Sequence, residues 1–213
     1  MYLLKPSFEI INFPIRVLQK LELYGRVCYK SEERITNISA EKFCKMIKSL
    51  KHESVIEHCS ATVRFICNRG FTHELVRHRL ASYSQESTRY CNYKKTGVTF
   101  IIPPWVKLQL GEYTRNMLNF HNYPIHARYW LDSLLNAEYN YNKLLEEGWS
   151  PQQARGVLPI DLKTEIIITA NLREWMHIFE LRCSKQAHPQ MQELMVPLRE
   201  EFTTRLPILF GEE

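Results

Sequence analysis

The chain is poor in glycine, with 7 in 213 residues. Neither G-x-G-x-x-G nor G-x-x-x-x-G-K occurs. That excludes the two backbone loops that most often cradle nucleotide phosphates, so any nucleotide site has to be built from side chains and helix ends. The six cysteines, at 28, 44, 59, 67, 91 and 183, include no C-x-x-C pair, which argues against a zinc ribbon or a thioredoxin-type redox centre. No apolar run reaches 18 residues, so no transmembrane helix is expected. Met1-Tyr2-Leu3-Leu4-Lys5-Pro6 is too short for an export segment. Reduced cysteines and a cytoplasmic location are the resulting expectation. There is no internal repeat and no low-complexity stretch.

What is present is ordinary globular composition: 45% apolar and 24% charged residues. The net charge of +5 is compatible with a merely basic surface or with a phosphate-bearing partner, and only the placement of the cations can decide.

Helical spacing predicts a helix over 39–50, with Ser39 as N-cap and Phe43, Met46, Ile47 and Leu50 on one stripe. Alternation at Ala61, Val63, Phe65 and Cys67 predicts a strand stopped by Gly70. A short helix is expected over 72–80, then a polar stretch over 82–96 too rich in Ser, Gln, Thr and Asn to be core, and a strand over 98–102 before Pro103-Pro104. A long helix is expected over 125–147, with Gly148 as the residue after its cap. Ser150-Pro151-Gln152-Gln153 is a helix start, residues 164–169 are strand-like, and Asn171 caps a helix to 182 with Glu174 three residues on. A last helix spans 189–205, with Met191, Leu194, Met195, Leu198 and Phe202 inward. Strands and helices mix without regular β-α-β alternation. The expected class is α+β, a mixed sheet packed with long helices in a single domain over 1–213.

The unusual segment is Arg77-His78-Arg79, followed by Ser82-Tyr83-Ser84-Gln85-Glu86-Ser87-Thr88-Arg89. On a helix, three consecutive cations fan over about 200°, too wide to pair with one acidic face. Arginine forks bind phosphate oxygens bidentately. Ser87, Thr88 and Arg89 offer a second anion site, and Gln85 and Glu86 offer polar contacts to a sugar or a base. A solvated basic helix end followed by a polar loop explains the composition equally well. Arginines beside Tyr83 and Tyr90 are also compatible with a nucleic-acid surface, although no long basic run or recognised binding motif accompanies them. His73 and His78 are five apart, off the i, i+4 face of a helical zinc pair, so no metal is expected.

Arg77-His78-Arg79, seven residues, then Ser87-Thr88-Arg89-Tyr90 resembles the signature of the flavin-dependent thymidylate synthases. His52-Glu53-Ser54-Val55-Ile56-Glu57-His58 resembles the family's H-E-[ST]-x-x-E-H element, and Ala154-Arg155-Gly156-Val157-Leu158-Pro159 its A-R-x-x-L-P element. Asn171-Leu172-Arg173 and Phe179-Glu180-Leu181-Arg182 resemble its last two ligand segments. The five elements occur in family order over roughly residues 26–195. The chain departs from the pattern at Cys28, where a small hydroxyl residue is usual, at His177, where an amide is common, and at Pro189.

The resemblance implies an activity: methylation of dUMP to dTMP with FAD, NADPH and 5,10-methylenetetrahydrofolate. It implies FAD contacts at Ser54, Arg77, His78, Arg79, Gln85, Asn171, Arg173 and His177. It implies dUMP contacts at Glu74, Arg77, Gln85, Glu86, Ser87, Thr88, Arg89, Arg155 and Arg182. Arg182 resembles the arginine that sits against uracil and favours loss of its N3 proton; His52 resembles the histidine beside the flavin ring. A homotetramer with FAD between subunits is implied too, with no nucleic acid or membrane partner. On this logic no cysteine is the nucleophile, and Ser87 is a phosphate ligand.

Overall fold

A computed structural model describes residues 1–117 and 123–211. Its strands are β1 (Tyr2–Leu4), β2 (Ser7–Asn12), β3 (Ser60–Asn68), β4 (Ala81–Gln85), β5 (Thr99–Ile101), β6 (Gly111–Glu112) and β7 (Lys163–Asn171). Its helices are α1 (Val17–Tyr29), α2 (Ser39–Ser49), α3 (Arg69–Leu75), α4 (Ile125–Glu146), α5 (Pro151–Ala154), α6 (Leu172–Arg182), α7 (Pro189–Arg205) and α8 (Pro207–Phe210). Among the described residues the strands form two sheets, in the orders β5-β1-β6 and β2-β3-β7-β4. In the first, β1 pairs parallel with β5 and antiparallel with β6. The class is α+β with a mixed sheet, as the pattern implied.

The chain divides into two compact units: Met1–Ser7, Phe65–Arg77 and Ser84–Ile166 make the first, Phe8–Arg64, His78–Tyr83 and Ile167–Glu213 the second. In the first, Leu131, Leu134, Leu135 and Tyr141 of α4 bury against Met1, Leu3, Val98 and Phe100. The helix runs to Glu146, and Gly148 follows with φ 89, a left-handed conformation that glycine adopts at no steric cost. Asp161 ties this unit together by accepting from Asn68 Nδ2 and Trp130 Nε1, each at 3.0 Å. In the second unit, Trp175 and Phe179 of α6 pack against Phe202 of α7, with centroids 5.2 and 5.1 Å away. Trp175 is fully buried and donates through Nε1 to the Ala61 carbonyl; truncating such a side chain costs about 3–5 kcal/mol. The α7 residues expected inward, Met191, Leu194, Met195, Leu198 and Phe202, are all buried.

Four local expectations need correction. The helix expected over 72–80 is α3, Arg69–Leu75, so Arg77, His78 and Arg79 lie beyond its end and do not fan around a helix. The cause is Asn68, whose side chain accepts from Phe71 N and starts the helix early; Gly70 lies inside it rather than stopping a strand. The polar stretch 82–96, expected to stay out of the core, holds β4 at Ala81–Gln85 with alternating exposure and a buried Thr88. Ser39 is the first helical residue rather than the cap, its hydroxyl being spent on Glu22 and the Thr36 carbonyl. Segments β1, β2 and α1 had no counterpart in the sequence reading.

Candidate functional site

In the second unit, β7 leads directly into α6. Asn171 caps that helix by accepting from Glu174 N at 2.8 Å, as its position predicted. The helix places Arg173, Glu174 and His177 near its start and Arg182 at its last residue. A cavity of about 530 Å³ is lined by Glu53, Glu57, Leu80, Asn171, Arg173, Glu174, Met176, His177 and Glu180. Three expected cofactor contacts, Asn171, Arg173 and His177, thus share one cavity. Arg173 pairs with Glu53 at 3.0 Å and with Glu57. These pairs are exposed, and exposed ion pairs stabilise little, so an anionic ligand can compete for the guanidinium.

Behind this wall, His78 is buried, with 5% of its surface exposed. Its Nε2 accepts from Arg182 Nε at 3.0 Å, and its Nδ1 lies 3.4 Å from Glu174 Oε1. The His177 ring sits edge-on at 5.7 Å. Tyr83 donates to the His78 carbonyl at 2.7 Å. Burial, then the charges of Arg182 and His177, push the His78 imidazolium down to about 4, so the ring is neutral at physiological pH. Arg79 and Ser54 are exposed. His52, also exposed, accepts or donates through Nδ1 to Tyr29 OH at 2.6 Å.

In the first unit, polar contacts involve several of the residues expected to hold dUMP, Gln85, Glu86, Thr88 and Arg155 among them, whereas Arg182 belongs to the second unit. Arg155 Nη1 donates to Thr88 Oγ1 at 3.1 Å, joining segments 67 residues apart. Arg155 makes no salt bridge to the long helix among the described residues. Glu86 accepts from Lys163 at 3.0 Å and from Tyr93 OH at 2.8 Å. Burial alone lowers the Lys163 ammonium, but the hydrogen bonds it donates to Glu165 and Glu86 outweigh this and hold it above its ordinary value. Gln85 Nε2 donates to Thr72 at 3.0 Å and to Thr164 at 3.3 Å. Ser87 Oγ accepts from Arg89 N at 3.3 Å. Arg77 and Arg89 are exposed, and Glu74 is half-buried at the end of α3. Arg89 lies over the Tyr90 ring at 5.4 Å.

Lys163, Tyr93 and Tyr29 carry no signal in the sequence, and Tyr83 enters it only as a stacking residue. Glu174 is expected to complete a capping box with Asn171; its backbone N–H is capped, but its carboxylate faces His78 instead. Lys163 and Tyr93 lie outside every motif and meet Glu86 only through the fold.

Residues 12–208 match the family described as thymidylate synthase complementing protein, and the chain belongs to that family. A flavin-dependent thymidylate synthase of Pyrococcus furiosus is 32% identical over 205 residues, covering 92% of this chain and 78% of that protein. Its counterpart in Geobacter sulfurreducens is 33% identical over 198 residues, covering 89% and 79%. Among solved structures, the UMP/dUMP methylase PolB from Streptomyces cacaoi bound with 5-Br dUMP superposes with a TM-score of 0.79 at 21% identity, covering 99% of this chain and 95% of that one. That likeness establishes the fold.

Proposed function

We propose that the chain, acting as one domain over 1–213, is a flavin-dependent thymidylate synthase that methylates dUMP to dTMP. The carbon donor is 5,10-methylenetetrahydrofolate, the hydride carrier FAD and the reductant NADPH. The observation that carries this reading is the family match over residues 12–208, supported by two relatives named for the activity.

The residues present fit a flavin nucleotide. The cavity offers the Asn171 amide, the Arg173 guanidinium and the His177 ring for polar groups, with Leu80 and Met176 as apolar surface. Arg79, exposed and outside every ion pair among the described residues, is a further cation for phosphate. Ser54, Arg77, His78 and Gln85 complete the proposed cofactor set. When bound and reduced by NADPH, the flavin would supply the hydride that completes the methyl group.

The chain's own residues do the rest. Ser87, Thr88, Arg89 and Arg155 hold the dUMP phosphate; Glu74, Arg77, Gln85 and Glu86 hold its sugar and base. Arg182 places positive charge against the uracil, favours loss of the N3 proton and so makes C5 nucleophilic without a covalent enzyme adduct. His52 is the histidine that would act next to the flavin ring when the cofactor is bound. The subunits assemble as a homotetramer that shares FAD, in the cytoplasm; among the described residues no helix is long and apolar enough to cross a membrane.

The test is a flavin absorption spectrum of purified protein, followed by turnover assays with dUMP and, separately, UMP. A yellow protein that converts dUMP supports the reading. A colourless protein that binds nucleic acid overturns it, and preference for UMP changes the substrate. A stable FAD-loaded monomer in light scattering rules out the shared-cofactor tetramer.

A further inference from the structure

Glu174 sits in the first turn of α6, its residue 7% exposed. The helix dipole favours a negative charge there. Its carboxylate accepts hydrogen bonds but cannot donate them. Oε1 faces His78 Nδ1 at 3.4 Å, long for a hydrogen bond but close for electrostatics. On the opposite edge of the same ring, His78 Nε2 lies 3.0 Å from Arg182 Nε. An arginine Nε–H can only donate, so that bond requires a bare Nε2 and therefore a proton on Nδ1. The carboxylate favours that same tautomer. Glu174 and Arg182 are eight residues apart on one helix, yet they communicate through a histidine from another segment.

We propose that Glu174 is a positioning residue: by holding the His78 proton on Nδ1, it keeps Nε2 as an acceptor for Arg182 Nε and so fixes the plane of the Arg182 guanidinium. Two further observations are consistent with this device. The Glu174 and His78 backbones are both anchored, Glu174 N by the Asn171 cap and the His78 carbonyl by Tyr83. The ring is neutral at physiological pH, as a single-proton relay requires. Replacing the carboxylate by an apolar group removes one of the two groups that favour Nδ1–H and leaves Arg182 as the other; in the alternative tautomer, an Nε2–H meets an Nε–H and Arg182 must turn away. The catalytic consequence rests on the role proposed above for Arg182; the tautomer does not.

The test separates the two. In nitrogen-15 NMR of histidine-labelled free protein, the wild type should show His78 protonated on Nδ1 with Nε2 bare, without any substrate. A wild-type His78 protonated on Nε2 overturns the proposal whether or not any variant folds. Glu174→Leu should weaken the Nδ1–H preference and lower kcat with dUMP by about tenfold or more per FAD-loaded protein, the scale of removing a residue that orients an active group. Glu174→Gln, whose amide oxygen can still face Nδ1, should retain the tautomer and most of kcat. A Glu174→Leu protein with the Nδ1–H tautomer intact, or with wild-type kcat, overturns the proposal. A correct tautomer in a protein that never turns over dUMP defeats the functional reading and leaves the positioning intact.

Discussion

Arg155 donates to Thr88 at 3.1 Å, joining two segments that are both expected to contact dUMP. The guanidinium is exposed and the threonine buried, so the bond leaves the rest of the fork facing solvent. A phosphate met by such a fork is bound bidentately. Arg155→Ala should therefore raise the KM for dUMP by roughly tenfold or more, since a hydrogen bond to a charged group contributes about 1.5–3 kcal/mol. The FAD content should not change. An unaltered KM would remove Arg155 from the phosphate site.

Arg182→Ala should keep FAD bound yet nearly abolish dTMP formation. A lost contact to a developing anion costs on the order of 3 kcal/mol, about a hundredfold in rate. The loss should appear in kcat at saturating dUMP, with the absorption spectrum unchanged. Normal turnover would mean that uracil is activated elsewhere.

The pattern revealed the class, the strands around Val63 and Ile166, and the helices α4, α6 and α7 because each carries a clear period of apolar residues. It failed on Arg77-His78-Arg79, where adjacency suggested a helix. The Asn68 cap starts α3 at Arg69, and the helix ends at Leu75, before those three residues. Motif residues such as Arg155 and Thr88 were legible one by one; that they touch was not, since 67 residues separate them. Glu174 and Lys163 show the deeper limit. Their significance comes from partners on other segments, and nothing in their neighbours along the chain signals it.

His78 should make the protein acid-sensitive in a defined window. Its imidazolium is pushed from 6.5 down to about 4 in the folded state by burial, Arg182 and His177. Between those values the unfolded chain binds a proton that the folded chain refuses. Stability is therefore full above about pH 6.5 and falls as pH drops towards 4, with little further loss below. The slope approaches about 1.4 kcal/mol per pH unit, for a total near 3 kcal/mol. Urea unfolding of wild type and His78→Gln at pH 7, 6, 5 and 4.5 measures it. The variant should show the shallower pH dependence; parallel curves would mean that His78 is not the sensing group.

The last prediction concerns the thiols, because a cysteine nucleophile is the principal alternative to activation by Arg182. Such chemistry needs a thiolate. Burial pushes the Cys44 thiol up to about 12 and Cys183 up to about 11; it also raises Cys59 and Cys67. Cys183 follows Arg182 directly, yet at pH 8 a thiol of that kind is ionised in only about one molecule in a thousand. Cys28 is the exposed member of the six. A neutral iodoacetamide reagent should therefore label Cys28 first and leave Cys44, Cys59, Cys67 and Cys183 largely unmodified until the chain unfolds. Six single substitutions to serine or alanine should each retain turnover once normalised to folded, FAD-containing protein, though the buried ones will lose stability because buried cysteine packs as a small hydrophobe. For Cys183→Ser a loss of about tenfold or less is expected, the size of a disturbance worth roughly 1.4 kcal/mol next to Arg182. A fall of several orders of magnitude there, with FAD and dUMP still bound, would establish thiolate attack and remove Arg182 from the centre of the mechanism.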